Sequence, residues 1–232
     1  MAKHLDLEEQ EQLDQLKHFW KSYGNLITWL LIAVLGAFAA WNGYRYWQQN
    51  RAAQAASLFD ELGRAATSGD MTRLERSLTD MKDRFGGTTY AAQAALLAGK
   101  ALFEADKVDA AKDALRWVSE KSSDDGYQAV ARLRLAGILI SQKAYEDASK
   151  LLAVAVPKEF GGLLADRKGD LANVQGKKAE AIAEYQKAYR LFEGTADYRR
   201  LVEVKLIALG ADPTSTDPSA ARPQDSASGS KK

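Results

Sequence analysis

The stretch from Gly24 to Trp47, GNLITWLLIAVLGAFAAWNGYRYW, limits what this chain can become. No Asp, Glu, Lys, Arg or His lies between Ser22 and Tyr44, and Leu26 to Trp41 is apolar apart from Thr28. About 20 such residues, at about 1.5 Å each, cross about 30 Å of hydrocarbon. A core helix of a soluble domain usually keeps one polar stripe for water. This run has none. Leu26, Trp29, Leu30, Leu31 and Ile32, then Val34, Leu35, Phe38 and Trp41, are therefore expected to face lipid. Phe19, Trp20 and Tyr23 precede the run and Tyr44, Tyr46 and Trp47 follow it, as rings do that sit half apolar and half wet at the two interfaces.

A cleaved export signal is the competing reading. Ala37-Phe38-Ala39 has the small-x-small form of a cleavage site, and Leu26 to Leu35 has the length of a signal's apolar region. A signal, however, begins with a short positive segment. Here a long one carries Asp6, Glu8, Glu9, Glu11 and Asp14. Cleavage after Ala39 would also leave Trp41, Tyr44, Tyr46 and Trp47 with no membrane to meet. The sequence favours an uncleaved anchor. Lys17 and Lys21 on one side nearly balance Arg45 and Arg51 on the other, so the positive-inside rule gives only weak support for a cytoplasmic N-terminus.

Beyond the span the chain reads as helix to Gly210, with Gly, Asp, Ser and Pro157 at the breaks. Three segments are self-similar: AALLAGKALFEADKVDAAKDAL from Ala94, ARLRLAGILISQKAYEDASKLL from Ala131 and LLADRKGDLANVQGKKAEAIAEY from Leu163. Each is a helix, a tight turn and a second helix. Gly99, Ala136 and Gly169 sit in the first helices, and Ala111, Ala148 and Ala181 lie twelve residues on in the second. The alanines recur after 37 and then 33 residues, close to the tetratricopeptide period. The steric reason is that antiparallel helices approach closely only where side chains are small. Leu102, Leu115, Leu139, Leu152 and Tyr185 are expected to fill the space between consecutive pairs. Arg51 to Arg84 reads as a more degenerate pair, and Ala196 to Leu209 as a helix that closes the stack.

The expected fold class is all-α: a single transmembrane helix followed by a tetratricopeptide-like solenoid. The expected domains are a short amphipathic segment at 1–23, the span at 24–47, the repeats at 48–210 and a disordered tail at 211–232, rich in Pro, Ser, Asp and Ala.

Composition argues against catalysis. There is no Cys, and both histidines, His4 and His18, precede the span, so the repeats have neither a histidine base nor a thiol nucleophile. No cofactor, metal or small-molecule substrate is expected, and a net charge of +1 gives no electrostatic case for nucleic acid. The acidic pairs Asp60-Glu61, Asp124-Asp125 and Glu146-Asp147 read as turns and helix starts. Gly86-Gly87 and Gly161-Gly162 read as turns, since neither is followed by the Lys-Ser/Thr of a phosphate loop.

Binding has a positive argument. The first helices of stacked pairs line one face, which places Leu96, Lys100 and Phe103, then Val130, Leu133, Gly137 and Ile140, then Asp166, Asp170 and Asn173 near it. That groove is expected to be apolar in its first half and acidic in its second, with Asp166 and Asp170 one turn apart forming an exposed acidic patch. It suits an amphipathic segment or a partner's helix better than a free C-terminus. Phe103 and Ile140 could equally pack between repeats.

EEQEQLDQLKHFWKSYGN (Glu8 to Asn25), running into one span, resembles the start of the YfgM-type ancillary subunits of the Sec translocon. The similarity continues through YAAQAALLAGKAL from Tyr90, LRWV from Leu115, ARLRLAGIL from Ala131 and KGDLANVQGKKAEAIAEYQKA from Lys168, nearly everything before the tail. The resemblance implies a non-enzymatic protein anchored in the lipid of a bacterial inner membrane, N-terminus cytoplasmic and repeats periplasmic. Its implied partners are the SecYEG channel and a membrane-anchored periplasmic chaperone of the peptidyl-prolyl-isomerase type. The residues alone leave open a scaffold for another envelope or cell-division complex, and a helical periplasmic enzyme released by cleavage.

Overall fold

The computed structural model describes residues 7–192 and 196–213, and the chain falls into two units, residues 1–54 and 55–232. Most of the tail expected to be disordered, from 214 onward, lies outside the described residues. The described residues are helical, without strands: α1 Leu7–Ser68, α2 Met71–Phe85, α3 Thr89–Glu104, α4 Val108–Lys121, α5 Asp125–Ser141, α6 Tyr145–Ala153, α7 Gly161–Val174, α8 Lys178–Leu191 and α9 Ala196–Ala208, with a 3₁₀ turn at Lys158–Phe160.

In the first unit, α1 is long and apolar enough to cross a membrane, and its apolar window has almost no protein cover. Leu26, Trp29, Leu30, Leu31, Ile32, Val34, Leu35, Phe38 and Trp41 are all exposed. Thr28 donates its hydroxyl hydrogen to the Gly24 carbonyl at 2.7 Å, which satisfies the one polar side chain of the run. Beyond the run, the Arg51 guanidinium lies 5.1 Å from the centre of the Trp47 ring.

The second unit stacks helix pairs: the last turns of α1 with α2, then α3 with α4, α5 with α6 and α7 with α8, with α9 packed against α8. One turn geometry repeats five times. Gly69, Asp106, Lys143, Gly176 and Gly210 each take φ between 60° and 75° just after a first helix. The next residue's N–H then reaches back to a carbonyl in the helix: Asp70 to Ala65, Lys107 to Leu102, Ala144 to Leu139, Lys177 to Ala172 and Ala211 to Leu206, at 2.8–3.0 Å. This is the Schellman ending, which satisfies carbonyls the helix leaves open and reverses the chain. It fixes the register of every repeat.

Counted from that turn residue, the small residues fall into place. Seven positions before it stand Gly99, Ala136 and Gly169; five after it stand Ala111, Ala148 and Ala181, each alanine fully buried. A Cβ on Gly99 would lie 2.9 Å from Leu115 Cγ, and one on Gly169 would lie 2.5 Å from the Tyr185 ring. Leu115 and Tyr185 thus fill the crossing within a pair rather than the gap between pairs. Each lies over the residue whose missing side chain makes room for it. In the first pair Leu62 and Leu74 occupy the two small-residue positions, both fully buried, which is its degeneracy in physical terms. In α9 the position is Glu203, half-exposed, and among the described residues no helix crosses it.

Two local expectations change. Asp124 caps α5, its carboxylate accepting the Tyr127 N–H at 2.9 Å, and Asp125, Glu146 and Asp147 occupy first turns, but Asp60-Glu61 lies inside α1. Gly161-Gly162 opens α7 instead of forming a turn, and a Cβ on Gly162 would come within 2.8 Å of the Phe192 ring. The glycine there serves close packing of α7 on the end of α8.

Candidate functional site

The shared turn register sorts the scattered candidate residues, all but Val130, into three columns. Ten positions before the turn residue stand Leu96, Leu133 and Asp166; six before, Lys100, Gly137 and Asp170; three before, Phe103, Ile140 and Asn173. Each column continues beyond the residues named from sequence. In α1 it adds Phe59, Gly63 and Ala66, and in α9 it adds Arg200, Val204 and Ile207. The only signal for these was the left-handed glycine closing each helix, Gly69 and Gly210.

The α5 and α7 members are brought together; the α3 members are not all surface groups. Leu96 is buried, and its carbonyl accepts from the Arg134 guanidinium at 3.2 Å, tying α5 to α3. Lys100 and Phe103 are exposed, with Lys100 3.7 Å from Glu104. Between α5, α7 and α9 lies an open depression of about 460 Å³, whose walls include Val130, Leu133, Leu163, Tyr198 and Leu201 with Asp166, Asp170 and Lys205. A second, of about 440 Å³, holds Gly137, Ile140, Asn173 and Val174. Arg167 and Asp170 border both, and the Arg167 guanidinium carbon is 3.3 Å from where a Gly137 Cβ would be. Gly137 therefore makes room for a cation from the next pair.

The second half of this groove is not the free acidic patch expected from sequence. Asp166 is 8% exposed, and Lys205 Nζ of α9 donates to Asp166 Oδ1 at 2.6 Å and to Asp170 Oδ1 at 2.7 Å. Asp170 also accepts from Arg167 at 3.0 Å and from the Tyr185 hydroxyl at 2.9 Å. Burial raises the Asp166 carboxyl above its ordinary value, against the opposing pull of Lys205. Burial likewise raises the Tyr185 phenol, with Asp170 beside it, so the hydroxyl is held as a donor. The two aspartates form a clasp that fastens α9 to α7 and α8. Counting Arg134, Arg167 and Lys205 against the two carboxylates, the depression carries a formal charge of +1.

Such a surface can hold a helix or extended segment by apolar contact and charge. The described residues contain no cluster of three or more His, Asp or Glu placed to hold a metal ion.

The family model described as a tetratricopeptide repeat-like domain matches residues 17–211, and the chain belongs to that family. It is 33% identical to a protein of Neisseria gonorrhoeae named ancillary SecYEG translocon subunit, over 90% of this chain and 100% of that one. Proteins of the same name from Haemophilus influenzae and Escherichia coli are 25% and 24% identical, over 86% and 77% of this chain and 97% and 85% of theirs. No solved structure matches.

Proposed function

We propose that this member of the tetratricopeptide repeat-like family is a single-pass inner-membrane accessory subunit of the Sec translocon that works by binding rather than catalysis. The observation that carries the reading is the extent of the match. The Neisseria gonorrhoeae relative, named for the translocon, is covered along its whole length, and the family model begins at Lys17, before the apolar run. The apolar run and the repeats fall within one family match. In this reading residues 24–47 span the bilayer, residues 1–23 lie in the cytoplasm, and residues 48–210 form the periplasmic binding domain. The groove columns on the first helices receive a periplasmic partner: a membrane-anchored chaperone of the peptidyl-prolyl-isomerase type or segments of emerging chains. The span and the segment before it meet the channel.

Affinity capture of the tagged full chain from gently solubilised membranes tests this. Channel subunits and the chaperone should co-purify, and a chimera with a foreign span should lose the channel while keeping the chaperone. Capture of a cell-division or other envelope complex without channel subunits would replace the translocon reading with that of a scaffold. Protease added to spheroplasts should remove the repeats and spare an N-terminal tag; the reverse pattern would invert the topology.

A further inference from the structure

The depression between α5, α7 and α9 has hydrogen-bond donors to spare. Both of its carboxylates are engaged: Asp166 accepts from Lys205, and Asp170 accepts from Lys205, Arg167 and the Tyr185 hydroxyl. Its two arginines are less committed. Among the described residues Arg167 gives one N–H to Asp170, and its Nε is buried without an acceptor. Arg134 is exposed, and its one bond there goes to a neutral acceptor, the Leu96 carbonyl. A guanidinium has five N–H donors and no acceptor, so the unmet capacity of this site is for an acceptor from outside. Beside the arginines lie Val130, Leu133 and Leu163, with Tyr198 and Leu201 of α9 49% and 51% exposed.

We infer that this depression holds an extended segment of another protein by one bulky apolar side chain and a nearby Asp or Glu. The apolar side chain enters between Leu133 and Leu201, and the carboxylate pairs with Arg134. Charge complementarity carries the choice. Asp166 and Asp170 are neutralised from within, so the charge left over is the exposed one of Arg134, which attracts a carboxylate and repels a lysine. Size argues for a segment rather than a whole helix, because 460 Å³ holds only about one turn of a helix about 10–12 Å across. The trough continues past the Arg167–Asp170 ion pair into the second depression. An occupant can therefore run on, and the carboxylate is an internal side chain rather than a chain terminus. The chain's own residues 214–232 supply Asp217 and Asp225 but no apolar side chain larger than Pro. The inference rests on the groove-binding part of the proposed function and gives the occupant a chemistry.

The test follows fluorescence anisotropy of short, labelled Gly-Ser peptides mixed with the full chain in zwitterionic lipid nanodiscs, with empty discs as the blank. Three end-blocked peptides carry one Phe and, two residues on, Glu, Gln or Lys, since residues two apart share one side of an extended chain. A fourth replaces the Glu by a free C-terminus. The Glu peptide should bind about five- to tenfold more tightly than the Gln peptide, and the Lys peptide more weakly still. Arg134→Glu should reverse that order, and Arg134→Lys should keep it. Arg134→Glu also removes the tie to Leu96, so Leu201→Ser serves as a second variant. It should weaken the Glu peptide about fivefold without moving the melting midpoint, because the side chain is half-exposed. Deleting residues 214–232 should leave the affinities as they are. Affinities that ignore the peptide's charge, binding indifferent to both Arg134→Glu and Leu201→Ser, binding of the free C-terminus alone, or a gain on deleting the tail would overturn the inference. So would no peptide binding by a chain that still captures the channel from membranes. Peptide binding in this order by a chain that captures no channel would instead strike the translocon reading.

Discussion

Two glycine-to-alanine substitutions with opposite outcomes test the repeat packing. Gly169→Ala puts a methyl group 2.5 Å from Tyr185 Cδ1 and Cε1, against the 3.5–4.0 Å of an ordinary carbon contact. The ring has to retreat by about 1 Å. It cannot do so freely, since it is 2% exposed and its hydroxyl is bonded to Asp170 at 2.9 Å. Overpacking of this kind costs about 1–3 kcal/mol, and the pinned ring puts the cost near the upper end. Alanine recovers about 1 kcal/mol of helix propensity, leaving a net loss of about 2 kcal/mol. Gly63→Ala, inside α1, meets nothing within 4 Å and receives the propensity gain alone. With about 2–4 °C per kcal/mol for a unit of this size, Gly169→Ala should melt about 4–8 °C lower and Gly63→Ala about 2–4 °C higher. The assay is thermal melting of the full chain in detergent, followed by circular dichroism. Equal rises in both variants would show that α7 and α8 do not cross at Gly169 and that the repeat register is wrong.

The α7–α9 clasp gives two further expectations. Lys205→Met leaves Asp166 and Asp170 without their shared cation in a part-buried site, and should cost about 1–3 kcal/mol in the same melting assay; an unchanged midpoint would mean the clasp is only superficial. Because Asp166 titrates above its ordinary 3.8 in the fold, its contribution is fully present below that value and is lost as the pH rises through the folded one. Asp166→Asn lacks this loss, so melting midpoints measured across the acid range should shift in favour of the variant as pH rises. A shift toward wild type would mean that Lys205 outweighs burial. Finally, Asp106→Gly relieves a left-handed residue at φ 60° and should stabilise by about 0.5–1 kcal/mol, read by denaturant unfolding; a loss would mean that Asp106 has a local role beyond the turn.

Much of the fold was legible because its determinants are local. An uncharged run of this length has few fates, and the twelve-residue spacing of Gly99 with Ala111, Ala136 with Ala148 and Gly169 with Ala181 encodes the crossings directly. The site was less legible because its electrostatics are not local. Asp166 and Asp170 read as an exposed pair one turn apart, yet their cation comes from Lys205, 39 and 35 residues away, on a helix that sequence presents only as a cap. The Schellman turns at Asp106 and Lys143 were similarly hidden, since the left-handed residue there is not glycine. Once those turns are seen, one set of offsets holds from Phe59 in α1 to Val204 in α9.

The central claim is that one span holds this repeat unit beside the protein-export channel. Photo-reactive residues placed singly in the exposed apolar run, at Leu30, Leu31 and Ile32, which point about 100° apart around the helix, and activated in living cells, address it most directly. The account predicts adducts containing a channel subunit from positions on one side of the helix, with the intact chain retained in carbonate-washed membranes. Full membrane retention with no channel adduct from any position would contradict it.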